Sequence, residues 1–226
     1  MLNDELSNNS LPALHCLYTG STGSGKTSAV KKMGHVKATD QIAFWDPHVD
    51  YGKRDENGMF KGRAVRRYRS FVEFAKALQA GRQTKQGFKI ALTVPETREN
   101  FLKFCEIVKR MGNGYHPKLL HVVCEENPQV TESIGKEKSV FGWLLSVGRK
   151  FGFVMHIVGQ RVTEMSKTVV GQTPYKWVGM QEFENDIKRM ASATGRPFAE
   201  VDALGPLEYI FKLPGKGQFK TGKLRW

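Results

Sequence analysis

The chain has 226 residues, of which 40% are hydrophobic and 25% are charged, a composition that excludes a disordered or collagen-like chain and fits one domain over residues 1–226. No apolar run approaches the roughly 18–20 residues of a membrane-spanning helix, and the polar N-terminus is unlike a signal peptide, so we do not expect a secreted protein. The formal net charge of +13 favours a polyanionic partner such as nucleic acid.

Short apolar runs alternate with amphipathic stretches along the whole chain, which predicts an α/β fold with a mostly parallel central sheet flanked by helices. In the first half we predict a strand at 15–19, a glycine-rich turn, a helix from residue 26, a strand at 41–45, a glycine-bearing loop at 52–62 and an extended basic segment at 64–68. A capping box, from Ser70 to Glu73, then begins a helix that ends at residues 80–81.

The second half continues the alternation up to a C-terminal β-hairpin. We predict strands at 88–94, 119–124 and 153–158, an edge strand at 175–180, helices at 98–111, 138–150 and 183–193, and a hairpin formed by 208–213 and 218–224. The domain core is placed at about 14–211, with a basic tail at 212–226. Three cysteines in apolar stretches, without zinc-ligand spacing, are predicted to be buried thiols: Cys16, Cys105 and Cys124.

The segment GSTGSGKT, between the first strand and the first helix, satisfies the phosphate-binding pattern G-x-x-x-x-G-K-[ST]. Its glycines allow successive amide N–H groups to turn inward, and the positive end of the helix dipole adds to the attraction for a triphosphate. We expect Lys26 to reach the β- and γ-phosphates and Thr27 to ligate Mg²⁺. The predicted ATP-binding residues are Gly20, Ser21, Thr22, Gly23, Ser24, Gly25, Lys26, Thr27 and Ser28.

Two carboxylates follow the apolar strand at 119–124. A hydrolysing P-loop enzyme needs one acid at such a strand end to hold hydrated Mg²⁺ and another to orient or deprotonate the attacking water. We assign Glu125 to the metal and Glu126 to the water as general base. The usual first acid is aspartate, so Glu125 departs from the common pattern. The alternative is a solvated carboxylate pair at a strand end.

Gln160 and Arg161 follow the strand at 153–158. If this strand lies between the P-loop strand and the acidic strand, Gln160 points at the γ-phosphate and can sense hydrolysis by hydrogen bonding to that group or to the attacking water. Taken alone, a Gln-Arg pair at a strand end fits loop capping better. The catalytic interpretation of Gln160 therefore depends on the other motifs.

Four landmarks occur in a fixed order: GSTGSGKT, the turn DPHVDY at 46–51, the two glutamates, and GRKFG at 148–152 leading to GQR at 159–161. This ordered set resembles the FtsK/HerA superfamily of hexameric DNA pumps, in which a D-P-x-x-x-Y-like turn and a strand ending in Gln are typical. The chain length and the basic tail are most similar to the genome-packaging ATPases of tailless, membrane-containing bacterial viruses of the tectivirus type. The resemblance covers about residues 14–211.

The resemblance implies a RecA-like P-loop fold of the ASCE type, assembly into a ring, expected to be a hexamer, and ATP hydrolysis at subunit interfaces coupled to movement of double-stranded DNA. It also implies work in the host cytoplasm during assembly and at the packaging vertex of the virion. Capsid vertex or portal proteins, including a membrane-bound vertex, are the implied partners.

Interfaces of this kind need an arginine from the neighbouring subunit to stabilise charge on the transferred phosphoryl group. Arg149, before the strand at 153–158, and Arg189, in a segment that resembles an interface helix of the family, are the candidates. Each has the alternative of being a surface cation. Asp46 and His48 match the family's turn after the second strand, which implies a place near the nucleotide; for His48 a purely structural role is the alternative.

Two basic clusters are candidates for DNA contact, because phosphate neutralisation releases counterions and gives affinity without reading sequence. The alternative for each is a solvated face, and for the tail also docking onto an acidic capsid protein or a membrane surface. The candidate residues are Arg63, Arg66, Arg67, Arg69, Lys220, Lys223 and Arg225.

Three other functions fit parts of the sequence. A small-molecule kinase is also a P-loop α/β protein of this length, but it does not usually need a strand-end Glu that activates water, and no Arg-rich lid is evident. The others are a non-catalytic, ATP-dependent assembly factor and the morphogenesis ATPase of filamentous phages, which normally carries a membrane-spanning segment.

Overall fold

The computed structural model describes residues 4–33, 36–51 and 58–225. Its strands are β1 (Cys16–Thr19), β2 (Gln41–Trp45), β3 (Met59–Phe60), β4 (Arg63–Ala64), β5 (Arg66–Tyr68), β6 (Phe88–Leu92), β7 (Leu120–Cys124), β8 (Phe153–Gly159), β9 (Tyr175–Val178), β10 (Glu208–Lys212) and β11 (Phe219–Lys223). Its α-helices are α1 (Lys26–Lys32), α2 (Phe71–Arg82), α3 (Arg98–Lys109), α4 (Val140–Ser146), α5 (Lys167–Gln172), α6 (Glu184–Thr194) and α7 (Phe198–Asp202).

Nine of the described strands form one sheet in the order β11-β10-β9-β1-β8-β7-β2-β6-β5. Neighbouring strands from β9 to β5 are parallel, and the β10–β11 hairpin is added in antiparallel orientation beside β9. The carboxyl ends of parallel strands share one edge of a sheet, so the segments that follow β1, β8, β7 and β2 meet there. The predicted α/β fold with a mostly parallel sheet and a C-terminal hairpin is confirmed.

Helices cover both faces of the sheet, as the alternating side chains of β1 illustrate. Leu17 faces the larger apolar cluster, to which α2 to α7 all contribute. Cys16 and Tyr18 face the smaller cluster, which includes Ala29 and Val30 of α1. Burial on both faces explains why the central strands are mostly apolar rather than alternating with polar residues.

Some predicted elements differ from the structure. Tyr175–Val178 is an interior strand and not an edge strand, because the hairpin pairs on its outer side. Helices α5 and α7 were not predicted, since six and five residues are too few to show a helical period. Most of the predicted glycine-bearing loop, 52–57, lies outside the described residues.

The three cysteines are free and buried, as their apolar surroundings predict: Cys16, Cys105 and Cys124. Burial raises the pKa of the Cys16 thiol to about 12, so it has little thiolate character. Across residues 4–33, 36–51 and 58–225, no helix is both long and apolar enough to span a bilayer.

His15, immediately before β1, makes the fold sensitive to acid. Its Nδ1 accepts a hydrogen bond from the backbone N–H of Met155 at 3.1 Å, and the residue is 3% exposed. Burial, reinforced by the charge of Arg149, lowers the pKa of His15 from 6.5 to about 4. The unfolded chain therefore binds a proton before the folded protein does, and stability falls as the pH drops from about 6.5 toward 4.

The substitution His15→Gln keeps a hydrogen-bond acceptor at this position. Between pH 7 and pH 4, we expect the variant to lose about 3 kcal/mol less unfolding free energy than the wild type. Urea unfolding of both proteins at pH 7 and near pH 4 measures the difference. Equal losses of unfolding free energy in the wild type and the variant would show that other groups set the acid sensitivity.

Candidate functional site

The loop between β1 and α1 has the backbone that its glycines predict. Gly23 and Gly25 have φ angles of 77° and 99°, left-handed conformations that residues with a side chain rarely adopt. Gly25 is the N-cap of α1, and the first amide N–H groups of a helix have no partner within it. A Cβ at Gly25 would also lie 2.8 Å from Leu224 and 3.1 Å from Leu207. The backbone conformation therefore favours glycine here, and a side chain would also displace the ends of these two leucines.

Lys26 is the first residue of α1, and its ammonium group lies against the loop. Nζ donates hydrogen bonds to the backbone carbonyl oxygens of Gly20 at 2.8 Å and Ser21 at 3.0 Å. Burial lowers the pKa of Lys26, and the charges of Glu126 and then Glu125 act in the opposite direction. The structure thus brings the P-loop lysine close to the two strand-end carboxylates.

The two glutamates after β7 lie in different environments. Glu125 is 2% exposed, and its Oε1 accepts a hydrogen bond from the hydroxyl of Tyr51. Burial raises the pKa of Glu125 to about 8. Glu126 is partly buried and has a φ of 48°, which turns the chain sharply after the strand. Its charge acts on the ammonium of Lys26.

The donor set fits Mg²⁺, which takes oxygen ligands and is commonly held by one or two protein groups together with substrate phosphates. Thr27, in the first turn of α1, and Glu125 are the protein groups that would hold it. Glu125 is buried near three other acids, Asp50, Asp46 and Glu126, an arrangement that a nearby cation stabilises. Among the described residues, no group of three or more His, Cys, Asp or Glu side chains is arranged to hold a metal ion.

The strand order meets the condition on which the interpretation of Gln160 depends, because β8 lies between the P-loop strand β1 and the acidic strand β7. Gln160 follows β8 directly, and its Oε1 accepts a hydrogen bond from the Thr22 hydroxyl at 2.9 Å. The Thr19 hydroxyl donates to the backbone carbonyl of Gln160 at 3.3 Å. The amide side chain of Gln160 therefore lies against the P-loop.

Arg161 connects this strand end to α6, a contact that the sequence did not reveal. Its Nε donates to the carboxylate of Asp186 at 2.6 Å, and its guanidinium lies 3.8 Å from the ring centre of Phe183. Asp186 also accepts hydrogen bonds from the backbone N–H and the hydroxyl of Thr163. Arg161, Phe183 and Asp186 border a cavity of about 50 Å³ beside the P-loop. The position of α6 is therefore tied to the residue next to Gln160.

The two arginines predicted to act across a subunit interface both have partners within the chain. Arg149 precedes β8, at the end of the sheet away from the P-loop, and donates to the carbonyl oxygens of Asn9 at 3.0 Å and Leu11. Arg189 of α6 is partly buried and donates to the carbonyl oxygen of Met165 at 3.2 Å. Their role in a neighbouring active site stays a prediction.

The turn after β2 is held by a buried ion pair. Asp46 is fully buried, accepts hydrogen bonds from the backbone N–H groups of Asp50 at 2.7 Å and Tyr51 at 3.3 Å, and pairs with Arg67 at 3.0 Å. Arg67 also donates to the carbonyl oxygen of Tyr51 at 2.6 Å and to the Thr93 hydroxyl at 3.1 Å. The buried carboxylate thus turns the guanidinium of Arg67 inward, and the contact of Arg67 with DNA stays a prediction.

His48 and Tyr51 of the same turn have different partners. His48 lies 3.0 Å from the carboxylate of Glu96, which supports the structural alternative for this histidine. Tyr51 contacts Glu125 through its hydroxyl, although sequence reasoning gave it no role. The D-P-x-x-x-Y spacing was the signal that pointed to it.

The other predicted DNA contacts are exposed and lie at opposite edges of the nine-stranded sheet. They are Arg63, Arg66 and Arg69 beside β5, and Lys220, Lys223 and Arg225 in the C-terminal segment. The ammonium of Lys223 lies 3.6 Å from Glu208. The chain therefore presents two separate basic surfaces rather than a continuous one.

The sequence is similar to that of a phage protein. Protein P9 of Pseudoalteromonas phage PM2 is 33% identical over 172 residues, which cover 75% of this chain and 69% of P9. No protein-family model matches the chain. The matched length extends well beyond the short motifs at the strand ends.

Solved structures resemble the whole fold. The genome packaging NTPase B204 of Sulfolobus turreted icosahedral virus 2, in complex with AMPPCP, has a TM-score of 0.70 at 13% identity, covering 95% of this chain and 99% of that one. The bacterial conjugative coupling protein TrwBdeltaN70 has a TM-score of 0.63 at 12% identity, covering 93% and 84%. At these identities the likeness establishes the fold.

Proposed function

Because this chain belongs to the FtsK/HerA-type P-loop ATPase family that includes protein P9 of Pseudoalteromonas phage PM2, we propose that it hydrolyses ATP to translocate double-stranded DNA during viral genome packaging. The observation that carries the proposal is the position of Lys26, Glu126 and Gln160. They lie in the segments that follow the carboxyl ends of three neighbouring strands, β1, β7 and β8. Hydrolysis of a phosphoanhydride bond needs a cation that binds the phosphates, a carboxylate that orients the attacking water, and hydrogen-bond donors to the γ-phosphate. The packaging role is supported by the likeness to B204, which is named as a genome packaging NTPase.

In the proposed reaction, Lys26 leaves its two loop carbonyls and binds the β- and γ-phosphate oxygens. This exchange replaces neutral acceptors with charged ones and strengthens the hydrogen bonds. Glu126 orients the water that attacks the γ-phosphorus and accepts its proton, while the bond between the γ-phosphorus and the bridging oxygen breaks to release ADP. Mg²⁺, held by Thr27 and Glu125, would neutralise charge on the phosphate oxygens. Gln160 hydrogen-bonds the γ-phosphate or the water and so reports hydrolysis.

The motor is proposed to work as a ring, with a hexamer as the expected stoichiometry. A neighbouring subunit would supply Arg149 or Arg189 to the transferred phosphoryl group. Capsid vertex or portal proteins, including a membrane-bound vertex, are the proposed docking partners, in the host cytoplasm during assembly and at the packaging vertex of the virion.

The basic edge beside β5 is proposed to contact DNA phosphates. Replacing Arg66 and Arg69 together by Gln should weaken duplex binding and reduce the slope of log affinity against log salt by about two, because each phosphate contact releases about one counterion. Fluorescence anisotropy with duplexes of unrelated sequence, over a series of salt concentrations, measures both quantities.

Two lysines that pair with glutamates elsewhere provide the matched control. Lys188 lies 2.6 Å from Glu184 and Lys103 lies 2.7 Å from Glu99, so replacing both by Gln removes the same charge away from the basic surfaces. We expect the salt slope of this control to stay close to the wild-type value. A flat salt response in the wild type would mean that the basic surfaces serve another partner.

An ATPase assay with and without duplex DNA tests the function itself. We expect phosphate release that is stimulated by DNA of any sequence. Phosphorylation of a nucleoside or another small acceptor would favour a kinase, and nucleotide binding without turnover, even in the native assembly, would favour a non-catalytic assembly factor.

A further inference from the structure

A line of hydrogen bonds joins strand β5 to the carboxylate at the end of β7. Arg67 donates to the backbone carbonyl of Tyr51 at 2.6 Å and pairs with Asp46 at 3.0 Å. Asp46 in turn accepts a hydrogen bond from the backbone N–H of Tyr51 at 3.3 Å. The Tyr51 hydroxyl then donates to Oε1 of Glu125. Tyr51 is thus bound at its backbone N–H, its backbone carbonyl and its hydroxyl.

The ring of Tyr51 is also enclosed by packing. The residue is fully buried, and its ring centre lies 4.7 Å from that of Phe44 and 5.5 Å from that of Phe60. The ammonium of Lys31 lies 5.6 Å from the ring centre. Since aromatic rings packed in this way have one accessible orientation, the hydroxyl occupies a fixed place beside Glu125.

We propose that Tyr51 and Arg67 are positioning residues that hold the carboxylate of Glu125 in the orientation that binds the magnesium ion of the nucleotide. This inference rests on the proposed ATPase function. A glutamate has one more rotatable bond than the aspartate usual at this position, so it loses more side-chain freedom when it binds a metal. A hydrogen bond from an immobile tyrosine removes that freedom in advance, as residues that hydrogen-bond to the ligands do at other metal sites.

The first test is Tyr51→Phe, which keeps the packed ring and removes the hydroxyl. We expect Mn²⁺, used as a probe for Mg²⁺, to bind about tenfold more weakly to the complex with a non-hydrolysable ATP analogue. Loss of a residue that hydrogen-bonds to a metal ligand costs about 10- to 100-fold in metal affinity. Electron paramagnetic resonance titration of free Mn²⁺ measures this affinity without turnover. Affinity for the analogue in the absence of metal should stay unchanged.

The matched control for this variant is Tyr18→Phe. Tyr18 is 1% exposed, and its hydroxyl lies 3.2 Å from Nδ1 of His156, so this change also removes a buried tyrosine hydroxyl bond. A purely structural effect would lower the melting temperatures of both variants alike. Only Tyr51→Phe should lower the affinity for Mn²⁺.

The second test is Arg67→Lys, which keeps a positive charge near Asp46 but lacks the planar fork that also reaches the Tyr51 carbonyl. We expect Mn²⁺ affinity to fall by about three- to tenfold. Arg82→Lys is its control, because Arg82 is 8% exposed and binds the carbonyl oxygen of Lys118 at 2.9 Å, among contacts that do not involve Glu125. That variant should bind Mn²⁺ as the wild type does.

The results separate this inference from the function on which it rests. If the wild type binds Mn²⁺ with the analogue and Tyr51→Phe binds it equally well, the positioning role is overturned and the ATPase proposal stands. If the wild type binds no Mn²⁺ with the analogue, the proposed function fails and the inference fails with it. Weaker Mn²⁺ binding in Tyr51→Phe and Arg67→Lys, with both controls unchanged, supports the positioning role.

Discussion

Replacing Lys26 by alanine should abolish ATP hydrolysis, with a fall in turnover of at least about a thousandfold, and weaken nucleotide binding by about a hundredfold. The ammonium group of Lys26 donates hydrogen bonds to the carbonyl oxygens of Gly20 and Ser21. We expect it to exchange these partners for phosphate oxygens when ATP binds. The attraction between this ammonium group and the phosphate oxygens should strengthen as negative charge develops on those oxygens in the transition state. Loss of the cation therefore reduces turnover more than binding.

The effect of Lys26→Ala should not arise from unfolding. Burial lowers the pKa of Lys26, which means that the folded state holds this charge at a cost, and its removal should leave the melting temperature unchanged or slightly raised. Phosphate release and titration with a fluorescent ATP analogue measure the two losses. Lys32→Ala, in the last turn of the same helix, removes an equal charge and should retain nearly full turnover. Hydrolysis by Lys26→Ala near the wild-type rate would remove the central assignment of the site.

Much of the candidate site could be predicted because it depends on local rules. The P-loop pattern fixes both the loop conformation and the start of α1, since glycine is required where φ is positive. The acids and Gln160 follow apolar runs that read as parallel strands, and the carboxyl ends of such strands meet at one edge. Sequence spacing alone therefore indicated that distant residues would lie near one another.

The inward direction of Arg67 could not be predicted for a physical reason. Side chains alternate between the two faces of a strand, but the three residues of β5 are too few to show which face is buried. The answer depends on Asp46, a buried acid 21 residues earlier in the chain. The contact between Tyr51 and Glu125 spans 74 residues and likewise requires the tertiary structure.

The edge assignment of β9 failed for a related reason. Its sequence fits a short strand, but whether a strand is interior depends on what pairs with it from elsewhere in the chain. Here β10 pairs with β9 over Ile210 to Lys212, after two intervening helices. Only the completed sheet therefore distinguishes the edges from the interior.

Replacing Glu126 by glutamine should leave nucleotide binding within about threefold of the wild type and lower turnover by about a hundred- to ten-thousandfold, the usual contribution of a positioned general base. The amide has the shape of the carboxylate and can still hydrogen-bond water, but it cannot take up a proton. Because Glu126 is partly buried and its backbone conformation is unusual, an isosteric change is the one that keeps the turn after β7 intact.

A neighbouring acid separates the loss of a base from the loss of negative charge. Glu96 lies close enough to Glu126 for the two charges to interact, and it binds His48 at 3.0 Å. Glu96→Gln therefore removes the same charge from the same region, and we expect turnover within about twofold of the wild type. Single-turnover phosphate release at saturating ATP compares the chemical step directly. If Glu126→Gln turned over as fast as the wild type while Lys26→Ala was inactive, the assignment of the P-loop to the phosphates would stand. Another group would then have to activate the water.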